Sequence, residues 1–292
     1  MKTYKIGGLF SVIVLLWAMV VPRAAGGEPM EPASDVLRIA VVQQNGNFGQ
    51  VAANRAKALD YAAQALAMRA DVILFHEELL VGYVENAHEL AEPVDGPTTQ
   101  AFEKSLKSSN SLIVYGLTER DGDKYYIAAV VVSKDGVVAH YRKTHLYPGI
   151  ALRDERAFYT PGDKLVTFDA KGFKCGLMLC FDGDFPEVTR TYANDACSVL
   201  FWMNNRPSRG YAEVGNLAHG NSMIIAASCC TGTDELGHSC AGGSNITGHN
   251  GELIAEIWNK EGIIVGDVHP NQALQIRRAN PFYICKRPEL YH

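Results

Sequence analysis

Three polar side chains stand where apolar, strand-like runs end. DVILFHE delivers Glu77, VVAHYRK delivers Lys143, and CGLMLC delivers Cys180. A cysteine kept for packing belongs inside an apolar run, whereas Cys180 stands at the exit of one, directly before the polar turn FDGD and the start of a helix. Ligand sites of layered α/β proteins gather at such strand ends. If the three strands are neighbours, a carboxylate, an ammonium and a thiol converge, and that trio suffices for acyl transfer. A thiol with a pKa near ~8.5 is only a few per cent thiolate at neutral pH. A carboxylate can take its proton, and an ammonium stabilises both the thiolate and the oxyanion formed after attack, one such donor being worth roughly 3 kcal/mol. Backbone N–H groups after Cys180, at the start of the FPEVTR helix, offer a second donor and a favourable dipole.

The elements that must position these residues alternate. LRIAVVQQ reads as a buried strand, and Gly49 to Ala70 carries Ala52, Leu59 and Leu66 at helical spacing. DVILFHE returns as a strand, GPTTQAFEKSLKSSN as a Pro-started helix and SLIVYGLTER as a strand. YYIAAVVVSKDGVVAHYRK and KLVTFDAKGFKCGLMLC each read as a hairpin, turning at Lys134-Asp135-Gly136 and Ala170-Lys171-Gly172. Helix FPEVTRTYANDA, strand CSVLFWMNN, helix YAEVGNLAHGNSM and strand IIAASCCTG follow, then closing β-structure in SNITGHNGELIAEI and GIIVGDV, and an irregular tail from Asn280. Hairpins inside an alternating chain exclude a doubly wound topology and predict mixed sheets with helices outside.

At 292 residues and 47% hydrophobic the chain suits one large domain, and a net charge of −5 leaves no basic footprint for nucleic acid. A small molecule is the expected partner. MKTYK, IGGLFSVIVLLWAMVV and PRAAGG form the basic, apolar and small-residue parts of a secretory signal over residues 1–26, followed by a linker at 27–36 and the folded domain at 37–292. Export to a periplasm or the extracellular space is expected, without stable membrane association after cleavage. The competing reading is a retained anchor, the run being near the ~17-residue lower limit for a span. Seven cysteines are an odd number for a disulfide framework. Most lie in apolar runs without CxxC spacing, and adjacent Cys229 and Cys230 do not easily face one zinc, so small buried hydrophobes are expected, with most thiols unbridged.

The blocks LFHEELLVGY, HYRKTHLYPG and LCFDGDFPEVTR, in that order, resemble the three signature blocks of the carbon-nitrogen hydrolase, or nitrilase, superfamily. The resemblance runs from Leu37 to Asp267 and includes GGSNITGHNGELIAE. It implies a four-layer α-β-β-α sandwich with mixed sheets, usually a homodimer or higher homo-oligomer, and a Glu-Lys-Cys triad that uses no metal or organic cofactor. Glu77 matches the general base, Lys143 the oxyanion-stabilising lysine and Cys180 the nucleophile. Glu155, in RDERAFYTPGD, matches a second glutamate that would orient Lys143 or the substrate, and the Phe181 N–H would share the oxyanion. Tyr83, Trp202 and Asn204 are the expected substrate-binding side chains, with plain core and loop the competing reading for FWMNNRPSRGY.

Some positions depart from the family pattern. His76 replaces the usual proline, and Glu78 competes with Glu77, the two falling on opposite faces if the strand continues. Gly183-Asp184 replaces the commoner Leu-Arg and is closer to the aliphatic amidase branch, while His219-Gly220 departs in the helix that often carries subunit contacts. The expected function is hydrolysis of a linear amide or an N-carbamoyl amine. The alternatives are a nitrilase, an inactive binding member of the same fold, and a redox or disulfide-bearing structural protein.

Overall fold

Long runs without polar interruption require strands buried on both faces. The computed structural model describes residues 35–206, 211–233 and 239–290. The expected signal at 1–26 and nearly all of the linker lie outside them. In chain order the elements are β1 (Leu37–Gln43), α1 (Val51–Ala67), β2 (Val72–Leu74), α2 (Ala87–Leu90), α3 (Pro97–Ser105), β3 (Leu112–Asp121), β4 (Lys124–Ser133), β5 (Gly136–Arg142), α4 (Glu155–Phe158), β6 (Thr167–Ala170) and β7 (Phe173–Leu179). They continue as α5 (Pro186–Asn194), β8 (Val199–Asn204), α6 (Tyr211–Asn221), β9 (Ile224–Cys229), β10 (Thr231–Thr233), β11 (Ser239–Thr247), β12 (Leu253–Trp258), β13 (Gly262–Val268), α7 (Pro270–Ala279) and α8 (Pro281–Ile284).

One sheet has the order β13-β1-β2-β3-β4-β5 and the other β10-β11-β9-β8-β7-β6, with β12 also on β11. In each sheet a parallel centre, β1-β2-β3 or β7-β8-β9, is flanked by antiparallel strands. Side chains alternate between layers. Leu177, Leu179, Phe201 and Met203 meet Val41, Val114 and Tyr141 between the sheets. Met178, Leu200 and Trp202 face Tyr192 of α5 and Val214 and Ala218 of α6. Ile73, Phe75 and Tyr115 face Ala58 and Ala62 of α1 and Phe102 of α3. The result is helix, sheet, sheet, helix, a four-layer sandwich.

Several local expectations are corrected. β2 and β5 are separated by two strands, and β7 belongs to the other sheet, so the three polar exits converge across the sandwich and not as sheet neighbours. The run leading to Glu77 leaves the ladder after Leu74, and it is a left-handed turn at Glu78 (φ 47°), not strand alternation, that parts the two glutamates. Cys180 is followed by a 3-10 turn over Cys180–Asp184, with α5 beginning only at Pro186, so the N–H groups after the cysteine belong to that turn. The unexpected helix α7 is held by Arg277, whose buried guanidinium donates to the carbonyls of Ala193, Asn221 and Ser222 at the ends of α5 and α6. Its sequence gave little apolar periodicity, because its buried face is small, Pro270 and Ala273 beside that arginine.

Gly116 on β3 is where the fold makes room for the Glu77 segment. A Cβ there would stand 2.5 Å from the Glu77 Cα and the Glu78 nitrogen and 2.6 Å from the His76 carbonyl oxygen, all backbone atoms that cannot rotate away. Gly116→Ala is therefore expected to destabilise the protein by about 3 kcal/mol, read as a lowered urea midpoint. Gly122→Ala, at φ 59° with no atom near its added methyl, is expected to cost only about 1 kcal/mol; equal costs would contradict the crowding at Gly116.

Candidate active site

The polar strand exits meet in a closed interior. The Lys143 ammonium donates to Glu77 Oε1 at 2.8 Å and to Glu155 Oε1 at 2.7 Å, and all three side chains are fully buried. Each carboxylate has further donors. The Asn205 backbone N–H gives a 3.0 Å bond to Glu77 Oε2, the Tyr83 hydroxyl a 2.8 Å bond to Glu155 Oε1, and the Tyr147 N–H a 2.8 Å bond to Glu155 Oε2. Lys143 itself continues the β4–β5 ladder by one residue, its N–H on the Ile127 carbonyl and its carbonyl on the Gly162 N–H, so the ammonium is aimed by backbone bonds.

Cys180 is 6% exposed and has φ 40°. A non-glycine residue in that region costs about 1–2 kcal/mol, so the surroundings must impose it. Trp202 Nε1 donates to the Cys180 carbonyl at 3.0 Å. Asp182, two residues on and fully buried, accepts the Leu179 N–H, the Tyr141 and Thr144 hydroxyls, the His145 N–H and His145 Nδ1, at 2.7 to 3.0 Å. That one carboxylate ties the turn carrying the cysteine to the chain just beyond Lys143. Gly183 permits the Trp202 ring to lie close, since a Cβ there would meet it at 2.2 Å.

Burial and charge set the protonation states. Burial raises the Cys180 thiol, the Glu77 charge raises it further, and Lys143 and Arg206 only partly offset this, so the resting sulfur is a thiol. Burial lifts Glu77 to about 7 against the pull of Lys143 and with a smaller push from Glu155. Burial works against the Lys143 charge, but the two carboxylates outweigh it and hold the ammonium well above its ordinary value. His76 is pulled down to about 4 by burial and is neutral, its Nδ1 2.8 Å from the Glu77 carbonyl oxygen. The group can therefore receive one proton near neutrality, at Glu77, beside a fixed positive charge.

Glu77, Lys143 and Glu155 are in direct contact, and the Cys180 thiol lies within their field. Glu78 is not part of this contact: it accepts from the Tyr159 and Thr118 hydroxyls at 2.8 and 3.3 Å on the far side of the turn. Phe181 sits on the cysteine's own 3-10 turn, its ring against Tyr147 and Phe185. Tyr83 borders a cleft of about 490 Å³ with Phe48, Gln50, Glu85, Asn86 and Leu152. Trp202 is nearly fully buried and supports the cysteine turn, and Asn204 is spent partly on the Trp202 and Ser228 carbonyls at 3.3 and 3.2 Å. A larger cleft of about 590 Å³ lies at the opposite strand ends, by Asp71 and Lys171, away from these groups. Asp182 and Asn205 escaped sequence reasoning. An acid in a turn between a buried strand and a helix must find donors, which is the signal Asp182 offered; Asn205 acts through its backbone and offered none.

The carbon-nitrogen hydrolase family model matches residues 38–278. An (R)-stereoselective amidase from Pseudomonas sp is 28% identical over 249 residues, covering 83% of this chain and 88% of that protein. The 2-oxoglutaramate amidase of Bacillus subtilis is 28% identical over 261 residues, covering 87% and 98%. Among solved structures, a carbon-nitrogen hydrolase from Helicobacter pylori superposes with a TM-score of 0.80 at 21% identity, over 89% of this chain and 98% of that one. An amidase from Nesterenkonia sp. does so with a TM-score of 0.73 at 23% identity, over 86% and 97%.

Burial holds the Glu78 proton up to about pH 8, against 4.5 for the ordinary group. The folded state binds more protons in that window, so stability falls as pH rises through it. Glu78→Gln removes the titration and is expected to flatten the dependence of the urea midpoint on pH; an unchanged slope would show that Glu78 is ionised throughout. Asp182→Ala strands several donors at once and is expected to cost about 3 kcal/mol or more in the same unfolding measurement.

Proposed function

Because this chain belongs to the carbon-nitrogen hydrolase family and is an amidase-type enzyme acting on carbon-nitrogen bonds other than peptide bonds, we propose that it hydrolyses a linear amide or an N-carbamoyl amine through a thioester on Cys180. The observation that carries this reading is the buried Lys143 ammonium bonded to Glu77 and Glu155 within the field of the Cys180 thiol.

Glu77 accepts the Cys180 proton as sulfur attacks the carbonyl carbon. Because the resting thiol is held protonated, transfer and attack proceed together and do not wait for a free thiolate. Lys143 and the Phe181 N–H receive the oxyanion, one such donor being worth roughly 3 kcal/mol. Glu77 returns its proton to the departing ammonia or amine, then activates a water that cleaves the thioester and restores the thiol. Glu155 positions Lys143, since it binds the ammonium while Tyr83 and the Tyr147 N–H hold it in place. The basic, apolar and small-residue parts of residues 1–26 support export to a periplasm or the extracellular space, and the family resemblance supports a homo-oligomeric active form.

Ammonia release from a panel of aliphatic amides, N-carbamoyl amines and nitriles tests the reading, and the preferred member names the branch. Cys180→Ala is expected to lose release by about a thousandfold or more; retained release would remove the cysteine from the mechanism. With Glu77 lifted to about 7, kcat/KM is expected to rise with pH through the neutral range. An acid limb near 4.5, the ordinary carboxyl value, would contradict the burial of the base.

A further inference from the structure

Three thiols outside the described machinery lie together in the protein. Cys229, Cys230 and Cys240 form a buried cluster of their own where β9 passes into β10 and β11 runs alongside. Cys229 and Cys240 pack against Cys230 and, together with burial, hold its thiol well above its ordinary value. The outward bonds connect this cluster to the active site. Cys230 Sγ donates to Asn205 Oδ1 and Cys229 Sγ to the Arg206 carbonyl, each at 3.2 Å, and Asn205 is the residue whose backbone N–H holds Glu77 Oε2 at 3.0 Å.

The thiols point to pairwise chemistry. Among the described residues no group of three His, Cys, Asp or Glu side chains has metal-holding geometry. Cys229 and Cys230 are poor partners for each other, because adjacent Cα atoms stand only ~3.8 Å apart, inside the ~4.4 Å lower limit for an unstrained disulfide. Cys230 and Cys240 are placed differently. β10 and β11 are antiparallel, with Thr231 opposite Ala241 and Gly232 opposite Cys240. Cys230 precedes β10 by one residue and stands two residues from the position opposite Cys240, a diagonal relation of ~7–8 Å; a relaxed disulfide reaches only ~6.8 Å between Cα atoms, so closing a bond between them must draw the backbone at Cys230 toward β11.

We propose that Cys230 and Cys240 are a disulfide-forming pair, and that their oxidation by a low-molecular-weight disulfide slows the enzyme by withdrawing the Cys230 thiol from Asn205. In the first step the Cys230 sulfur attacks one sulfur of the oxidant, here oxidised glutathione, releasing one glutathione thiol and leaving a mixed disulfide. The Cys240 sulfur then attacks Cys230 Sγ and releases the second glutathione. The protein loses two electrons and two protons, and one glutathione disulfide becomes two glutathione thiols. A S–S bond draws Cys230 Sγ toward β11 and removes its proton, so Asn205 Oδ1 loses its donor and the loop that fixes Glu77 loosens. Burial makes the exchange slow, since a protonated, enclosed thiol is a poor nucleophile.

The site stands apart from the proposed amidase reaction, but the effect on rate rests on that reading, and the test separates them. The full chain is reduced, equilibrated with glutathione buffers of increasing oxidised fraction, quenched with N-ethylmaleimide and mapped by peptide mass spectrometry without reduction. A Cys230–Cys240 linked peptide is the expected product. Both cysteines carrying only maleimide at every ratio, or separate glutathione adducts on each, would overturn the pairing whether or not any amide is turned over. In parallel, ammonia release is expected to fall at least fivefold with the linked fraction and to return with dithiothreitol. Cys240→Ser, or Cys240→Ala should serine fold poorly, is expected to keep its rate across the same buffers. Linkage with no change in rate would overturn the coupling to Glu77, and loss of rate in the Cys240 variants would assign the effect to Cys180.

Discussion

A single ammonium buried between two carboxylates is the constraint on which the structure turns. Lys143 sits fully enclosed against Glu77 and Glu155, and neither the cation nor the anions would tolerate that interior alone. Removing one partner would leave an uncompensated charge, so every backbone bond that aims these side chains is placed under the same requirement. The ladder extension at Lys143, the Asn205 N–H on Glu77, and the Tyr83 hydroxyl and Tyr147 N–H on Glu155 are its consequences. The price of burial is what makes the group useful: a carboxyl lifted toward neutrality by desolvation is a better base at that pH than one left at its ordinary value.

The sandwich supplies rigidity from two directions. Glu77 and Lys143 come from one sheet and Cys180 from the other, so sheet-to-sheet packing through Val114, Tyr141, Leu177 and Phe201 sets their separation. Asp182 reinforces it locally by gathering donors from both sides of the gap. The left-handed cysteine is tolerable because Trp202 holds its own carbonyl and Asp182 holds the N–H of Leu179 before it. Strain of that kind persists only where surroundings over-determine it, and here they place the sulfur at the exit of β7.

Much of this was legible in the sequence for a definite reason. A polar residue that ends an apolar run can be seen in one dimension, and Glu77, Lys143 and Cys180 all do so; apolar runs such as LRIAVVQQ likewise foretold buried strands. What stayed hidden depends on contacts between distant residues or on backbone groups. Asn205 serves Glu77 from 128 positions away through its N–H, Gly116 is defined by the backbone that crosses it, and α7 docks through an arginine beside a small apolar face of Pro270 and Ala273. Trp202 was legible as an aromatic in the run that leaves a buried strand, but its indole bond to the Cys180 carbonyl was not.

In the proposed reaction the carbonyl carbon becomes bonded to one particular sulfur, that of Cys180. The most direct measurement is peptide mass spectrometry of enzyme acid-quenched during turnover of its preferred amide, with the acyl group isotopically labelled. A labelled acyl mass on the peptide containing Cys180, absent from the peptides of the other six cysteines and discharged when turnover is allowed to finish, is the predicted result. Product formation with no acylated Cys180 at any quench time, together with an acyl mass on another residue, would contradict the thioester and return the buried ammonium and its carboxylates to a purely structural role.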